Sequence, residues 1–307
     1  MIQVSSLYKS YGDKQVLSGL SFSVNDGEIY GFIGKNGSGK TTTMNILCSL
    51  LSYERGDIVV RDSKTNAPYQ KRQIAYLPED PKFYGFMTAF QYLDFLGEVS
   101  RLDKSSRAKR NIELIQLVGL ETAGKTKIKG YSRGMRQRLG IAAALYNQPK
   151  ILLLDEPSSA LDPEGRSDVI RILEQLKNDG VTVLLSTHIL SDIEHTCDKI
   201  GIICDGVMAI EGQLNEILSK YSKNGFLVNF SAPLSPTQLK SLEDLPFVES
   251  VASQNKSIKI LLKDDAAGTN ILLGSLAAID IPIENISMLK SSLDEVYGKV
   301  ANGNVNL

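Results

Sequence analysis

Two stretches of this chain combine residue types and spacings that do phosphate chemistry. The first is GKNGSGKTT, in which Gly34, Gly39, Lys40 and Thr41 satisfy G-x-x-x-x-G-K-[ST]. Its glycines let backbone N–H groups turn inward around phosphate oxygens. A helix opening beside Gly39 adds unpaired N–H groups and the positive end of its dipole. The loop Gly34, Lys35, Asn36, Gly37, Ser38, Gly39, Lys40, Thr41 and Thr42 is the expected cradle for a nucleotide. Lys40 is expected to reach the β- and γ-phosphates, and the Thr41 hydroxyl to ligate Mg²⁺. The second stretch is ILLLDEP, residues 151 to 157, where four apolar residues run into Asp155 and Glu156. Asp155 is expected to hold Mg²⁺, directly or through water. Glu156 is expected to act as general base, or to orient the attacking water. Two buried carboxylates make little sense as structure alone, because unpaired buried charge is costly.

Other residues gather round these two. Glu79 in YLPEDP follows a short strand, at the edge where a doubly wound sheet places its ligands, and is expected to approach Mg²⁺ or water. His188 ends VTVLLSTH on the same edge and can donate to a γ-phosphate oxygen, whereas His195 reads as surface. Tyr11, at the Gly12-Asp13 turn, offers a ring that stacks on adenine, with Val16 as its apolar neighbour. In YSRGM, Ser132 reads as the N-cap of a long helix whose first turn holds Arg133 and Gly134, a second anion-binding helix start. Asp162-Pro163 is explained fully as an N-cap followed by proline at the first helical position.

The elements that position these groups follow from periodicity. Residues 2 to 25 alternate as antiparallel strands expected on one edge of the sheet. Residues 28 to 33, 73 to 78, 151 to 155 and 181 to 187 read as strands of a doubly wound sheet. GDIVV at 56 to 60 is a further strand. Thr88 and Gln91 form a capping box, so a helix starts at Ala89. Ala89, Leu93 and Leu96 make one apolar stripe of that helix, while Phe90, Tyr92 and Phe95 lie off it and suggest a docking surface for a partner chain. A helical subdomain is expected over about 84 to 148. The basic runs between 101 and 138 read as solvated helix faces.

At 307 residues two domains are expected, here 1–220 and 221–307. A net charge of −1 provides no field that would draw the chain to nucleic acid or anionic membrane. Cys48, Cys197 and Cys204 lack metal-ligand spacing and suggest a reducing compartment. No signal peptide or apolar run of spanning length is present, so a cytosolic chain is expected unless another protein holds it at a membrane.

In order as well as content, Tyr11, GKNGSGKTT, YLPED, YSRGM, ILLLDEP, SSALD and STHIL resemble the nucleotide-binding subunit of ATP-binding cassette transporters, over roughly residues 1 to 220. The resemblance implies an α/β P-loop cassette with a mixed sheet, an antiparallel β edge and a helical subdomain, hydrolysing ATP with Mg²⁺. It implies a head-to-tail dimer that sandwiches each ATP between one subunit's phosphate loop and the other's signature helix. Ser132 and Gly134 then contact the γ-phosphate across the interface, Asp162 lies in the inter-subunit loop, and His188 senses the γ-phosphate. Three residues of the common LSGGQ signature are replaced, by Tyr131, Arg133 and Met135, and Glu79 stands where Gln is usual. The substitutions resemble the branch in which a separate ATPase chain drives a separate membrane permease, many of them exporters, working peripherally on the membrane's inner face. The rival reading is a soluble cassette ATPase acting on ribosomes or DNA, with the basic run as contact. Against it stand the single cassette and the lack of coiled-coil or zinc insertions.

The segment from about 225 reads independently as β-α-β-β-α-β with a final helix, a small ferredoxin-like α+β module without a catalytic constellation. Its second helix is expected from Asp264 and its last from Ser291.

Overall fold

In this computed structural model the described residues are 1–62, 64–70, 73–159, 161–221, 225–263, 268–289 and 292–301. Cα packing divides the chain into two units, the first Met1–Leu214 together with the segment from Lys299 and the second Asn215–Gly298. In the first unit, β1 (Ile2–Tyr11) and β2 (Lys14–Val24) form an antiparallel hairpin, as their alternation predicts. The hairpin is not the edge of the main sheet. β4 (Arg55–Val60) pairs with the other side of β1, so the three strands make a sheet of their own in the order β2-β1-β4.

The main sheet has the order β5-β6-β7-β3-β8-β9. Here β3 is Ile29–Ile33, β5 Ile74–Leu77, β6 Ile151–Asp155, β7 Thr182–Thr187, β8 Lys199–Cys204 and β9 Val207–Gln213. Strands β3, β6 and β7 are buried at every position, which explains their unbroken apolar runs. All the pairings are parallel except β8 with β9, so the antiparallel edge strand is β9. Asp205 and Gly206 both adopt positive φ at its turn, the two-residue hairpin geometry that matches strand twist. The N–H of Ser18 donates to the carbonyl of Gly206 and ties the two sheets together. Between them lies one core that includes Leu17, Phe22, Phe32, Met44 and Leu153.

Helix α1 (Lys40–Leu47) follows β3 directly. The helical subdomain comprises α2 (Ala89–Val99), α3 (Lys104–Leu117), a 3-10 turn at Ile128–Gly130 and α4 (Arg133–Ala144). Both halves of the Thr88–Gln91 capping box form at the start of α2. Ala89 and Leu93 are buried, whereas Tyr84, Phe86 and Phe95 stand exposed in one cluster of rings 5.8 to 6.1 Å apart. Helices α5 (Pro163–Asn178) and α6 (Leu190–Thr196) complete the crossovers, and α7 (Leu214–Tyr221) opens at the last residue of the first unit.

The second unit runs β10 (Gly225–Phe230), α8 (Pro236–Glu243), β11 (Val248–Gln254), β12 (Ser257–Leu262), α9 (Gly268–Ala277), β13 (Ile283–Met288) and α10 (Leu293–Ala301) as far as Gly298. The sheet order β11-β12-β10-β13 is antiparallel throughout, the arrangement of a ferredoxin-like module. Ser235 caps α8 ahead of Pro236, and the core includes Val228, Phe230, Ile258 and Leu272. The expected starts of the last two helices, at Asp264 and Ser291, lie outside the described residues.

Candidate active site

Glycine geometry builds the first half of the site. Gly37 and Gly39 have φ of +83° and +110°, a region that favours glycine. A Cβ on Gly34 would stand 2.5 Å from Ser38 Oγ and 2.7 Å from the carbonyl of Ile203, so the loop closes only over bare backbone. No side chain caps α1, whose N-cap is Gly39, and its first N–H groups remain free for an anion. In the same loop Ser38 Oγ is buried and has no hydrogen-bond partner among the described residues. A cradle of bare glycines, an uncapped helix start and an orphaned hydroxyl fit a chain of phosphates.

Lys40 is buried, with Nζ donating to the carbonyls of Gly34 at 2.7 Å and Lys35 at 3.3 Å. Its Nζ also lies 3.7 Å from Glu156 Oε1. Burial lowers the pKa of this ammonium below the usual lysine value, and the charges of Glu156 and Asp155 oppose that shift. The second oxygen of Glu156 lies 2.8 Å from His188 Nδ1. Glu156 has a φ of +50°, uncommon for a residue with a side chain, and the carbonyl and Oγ of Ser186 both accept from its N–H. Asp155, also buried, accepts from Ser186 Oγ and, at 3.4 Å, from Tyr76. Burial, then the charge of Asp155, pushes the Tyr76 hydroxyl well above its ordinary pKa.

These groups open onto a cavity of about 440 Å³. Val16, Asn36, Gly37, Gly39, Lys40, Thr41, Thr42, Glu79, Glu156 and His188 line it, so the structure brings together both motifs and both flanking candidates. Gly34, Lys35, Ser38 and Asp155 are not among the residues that line it. Tyr11 does not line it: the ring is half exposed at the end of β1, with Lys9 Nζ 5.4 Å from its centroid. Lys14 and Ser159 line it without having been singled out. Lys14 is signalled only by its place after the Gly12-Asp13 turn, and Ser159 only by its position three residues beyond Glu156.

Residues 17–159 match the family model described as ABC transporter. The chain is 37% identical over 300 residues, 98% of its length and 99% of the relative's, to the uncharacterized ABC transporter ATP-binding protein YxlF of Bacillus subtilis (strain 168). The chain belongs to the ABC transporter family as an ATP-binding protein. It is therefore an ABC ATPase. It is also 32% identical, over 85% of its length and 84% of the relative's, to the linearmycin resistance ATP-binding protein LnrL of the same organism. Among solved structures it resembles a dimeric post-hydrolysis ATP-binding cassette bound to ADP and Pi, with 27% identity and a TM-score of 0.62. That match covers 70% of this chain and 99% of the solved one. Among the described residues of this ABC protein, no helix is long and apolar enough to cross a membrane.

The remaining candidates lie elsewhere on the ATPase. Ser132 caps α4 by accepting from the N–H of Met135, and Asp162 caps α5 by accepting from the N–H of Gly165. With Gly134 they line a separate cavity of about 450 Å³. The phosphate-loop cavity includes none of the three. The stretch from Asp155 to Asp162 is anchored by Ser158, whose Oγ donates to the buried Asp192 at 2.5 Å.

Proposed function

We propose that this chain is the ATP-hydrolysing subunit of an exporter, driving a separate transmembrane permease through ATP-dependent closure of a head-to-tail dimer. One observation carries the reading: the phosphate loop and the two capped helix starts of α4 and α5 line different cavities of a single chain. A second copy, turned about a two-fold axis, is the economical way to bring each half-site against the other. Gly134 fits that role, since among the described residues a Cβ there would meet nothing closer than 3.8 Å, which suits a close approach from outside. The ADP- and Pi-bound dimer among the solved relatives supports it.

In this reading Glu156 takes the proton of the attacking water or orients that water, and His188 holds its carboxylate through the 2.8 Å contact and reaches the γ-phosphate. Lys40 exchanges the carbonyls of Gly34 and Lys35 for phosphate oxygens. Thr41, Glu79 and Asp155 are the oxygen donors suited to Mg²⁺, which supplies charge neutralisation on the phosphates. Val16 packs under the base and Tyr11 supplies a ring to it by turning in over the cavity mouth. Ser132 and Gly134 meet the partner's γ-phosphate, and Asp162 lies in the loop between the subunits.

Residues 1–220 form the nucleotide-binding domain and 221–307 an accessory domain. The exposed ring cluster of Tyr84, Phe86 and Phe95 is the docking surface for the permease, which holds the ATPase at the inner face of the membrane. Linearmycin resistance in a relative supports export. Tagged Glu156→Gln protein, held in ATP and purified from solubilised membranes, is expected to carry a multi-span membrane protein in stoichiometric amount, and Phe86→Asp is expected to lose it. Ribosomes or DNA in its place would overturn the transporter reading.

A further inference from the structure

One loop of the first unit serves both cavities. It joins β6 to α5, with Glu156 and Ser159 on the phosphate-loop cavity and Leu161 and Asp162 on the other. On one side of Pro157, Glu156 is tethered to β7 and the residue after it. Its N–H donates to the carbonyl and Oγ of Ser186, and its Oε2 meets His188 Nδ1. On the other side the hold comes from Asp192, in the first turn of α6, whose carboxylate accepts from Ser158 Oγ at 2.5 Å. Both side chains are buried, Ser158 with 4% and Asp192 with 8% of its surface exposed. Asp192 is itself fixed. Its carbonyl accepts from Thr196 Oγ1 at 2.7 Å, and the neighbouring Ile193 packs over the bare Cα of Gly31 in β3, where a Cβ would stand 2.5 Å from Ile193 Cδ1. Stability alone does not account for the pair. A buried carboxylate is costly to desolvate, and an apolar pair of the same shape would serve the core as well. What a short bond to a charged acceptor adds is a fixed direction.

We propose that Asp192 is a positioning residue for ATP hydrolysis, gripping Ser158 so that the carboxylate of Glu156 stays where it can act on the attacking water. The proposal rests on the reading of Glu156 given above and extends it to a residue outside the cavity. Glu156 sits at a φ of +50°, a conformation that its surroundings must impose. Ser186 holds that backbone from one side and Ser158 from the other. With the second hold released, the peptide units beyond Pro157 can turn and draw the carboxylate off its line with the water. A displacement of about 1 Å is enough to cost on the order of 10²-fold in rate. ATP binding is spared, because residues 34–42 build the phosphate cradle without this loop.

The test uses the full chain with Mg²⁺ and ATP, and measures single-turnover hydrolysis, equilibrium ATP binding and Tm for each variant. Glu156→Gln comes first. Normal turnover there would overturn the reading of Glu156 and this proposal with it, whereas the remaining outcomes concern Asp192 alone. Asp192→Ala is expected to lower the hydrolysis rate about tenfold or more, with ATP affinity changed by less than about twofold. Asp192→Asn keeps an acceptor for Ser158 and is expected to recover most of the rate. Ser158→Ala leaves the buried carboxylate unpaired and is expected to lower Tm. Ser158→Ala combined with Asp192→Ala removes both partners, and so separates lost positioning from lost folding. That double variant is expected to melt near the wild type and to hydrolyse no faster than Asp192→Ala. In the Glu156→Gln background, adding Asp192→Ala is expected to change the residual rate by less than about twofold, since the group it positions is already gone. A wild-type rate in the double variant, ATP affinity that falls in step with the rate, or an undiminished loss in the Glu156→Gln background would overturn the assignment.

Discussion

Glu156 and His188 face each other with 2.8 Å between Oε2 and Nδ1, although 32 residues separate them along the chain. The pair leaves Glu156 Oε1 toward Lys40 and the open cavity, so one carboxylate oxygen is positioned while the other remains available for water.

That division separates the effects of two substitutions. Glu156→Gln is expected to retain ATP binding and to lower kcat by roughly 10²–10⁴-fold, the range for removing a general base. His188→Ala leaves the carboxylate in place but loosely held, and its kcat is expected to fall with little change in ATP affinity. Single-turnover kinetics beside equilibrium binding checks both, and a Glu156→Gln protein with normal turnover would remove that residue from the chemistry.

Lys40→Ala deletes a buried charge-assisted contact of about 1.5–3 kcal/mol, so ATP affinity is expected to fall at least tenfold. Burial lowers the pKa of the wild-type ammonium, so its charge is lost below the pH at which an ordinary lysine titrates. The unfolded chain then binds the extra proton, and in that alkaline window this group makes stability rise with pH while ATP affinity declines. Calorimetric titration of ATP across neutral to alkaline pH, wild type against Lys40→Ala, is the measurement. The variant is expected to show a flatter pH dependence.

One substitution is expected to have opposite consequences at two glycines. Gly39→Ala forces a side chain into φ +110° and sets its Cβ 2.5 Å from Leu17 Cδ2, with a cost of about 1–3 kcal/mol and loss of nucleotide binding. Gly134→Ala sits in a helix where its Cβ makes only ordinary contact, 3.8 Å from Leu161 Cδ2, and is expected to stabilise the chain by about 1 kcal/mol, while weakening the ATP-bound dimer. Denaturant melts and ATP-dependent sedimentation of the two variants test this contrast.

Burial pushes the thiols of Cys48 and Cys197 up to about 12. Folded protein is therefore expected to resist alkylation at both positions near pH 8, where an unfolded thiol reacts readily. These raised values contribute stability that is complete below pH 9 and lost as the pH climbs toward 12, because unfolding releases protons that the fold retains. The slope is about 1.4 kcal/mol per pH unit for each thiol, readable from urea melts at pH 8 and above.

Much of the site was legible because its signals are local. The glycines of 34–39 announce their backbone geometry, and the apolar run 151–154 announces a buried strand ending in carboxylates. The caps at Thr88, Ser132, Asp162 and Ser235 are each decided within three residues. What escaped depends on distant partners. Nothing near residues 2–25 says that β1 will take Arg55–Val60 as its second neighbour and leave the main sheet. Tyr11 precedes the phosphate loop in sequence, yet in the fold its half-exposed ring lies beneath Lys9 and is not among the residues lining the cavity. Ser186, which bonds both Asp155 and Glu156, is one small polar residue in a strand and acquires meaning only once β7 lies beside β6.

The parallel register that pairs Asp155 with Ser186 also pairs Ile33 with Thr187, so the phosphate loop, the carboxylates and the histidine all leave the sheet at one level. Their spacing is set by hydrogen-bonded neighbours rather than by the chain that joins them. The last turns of helix α5 and the loop that follows it can therefore gain or lose residues over generations, reshaping the outer surface for new companions, while the distances on which the reaction depends stay as they are.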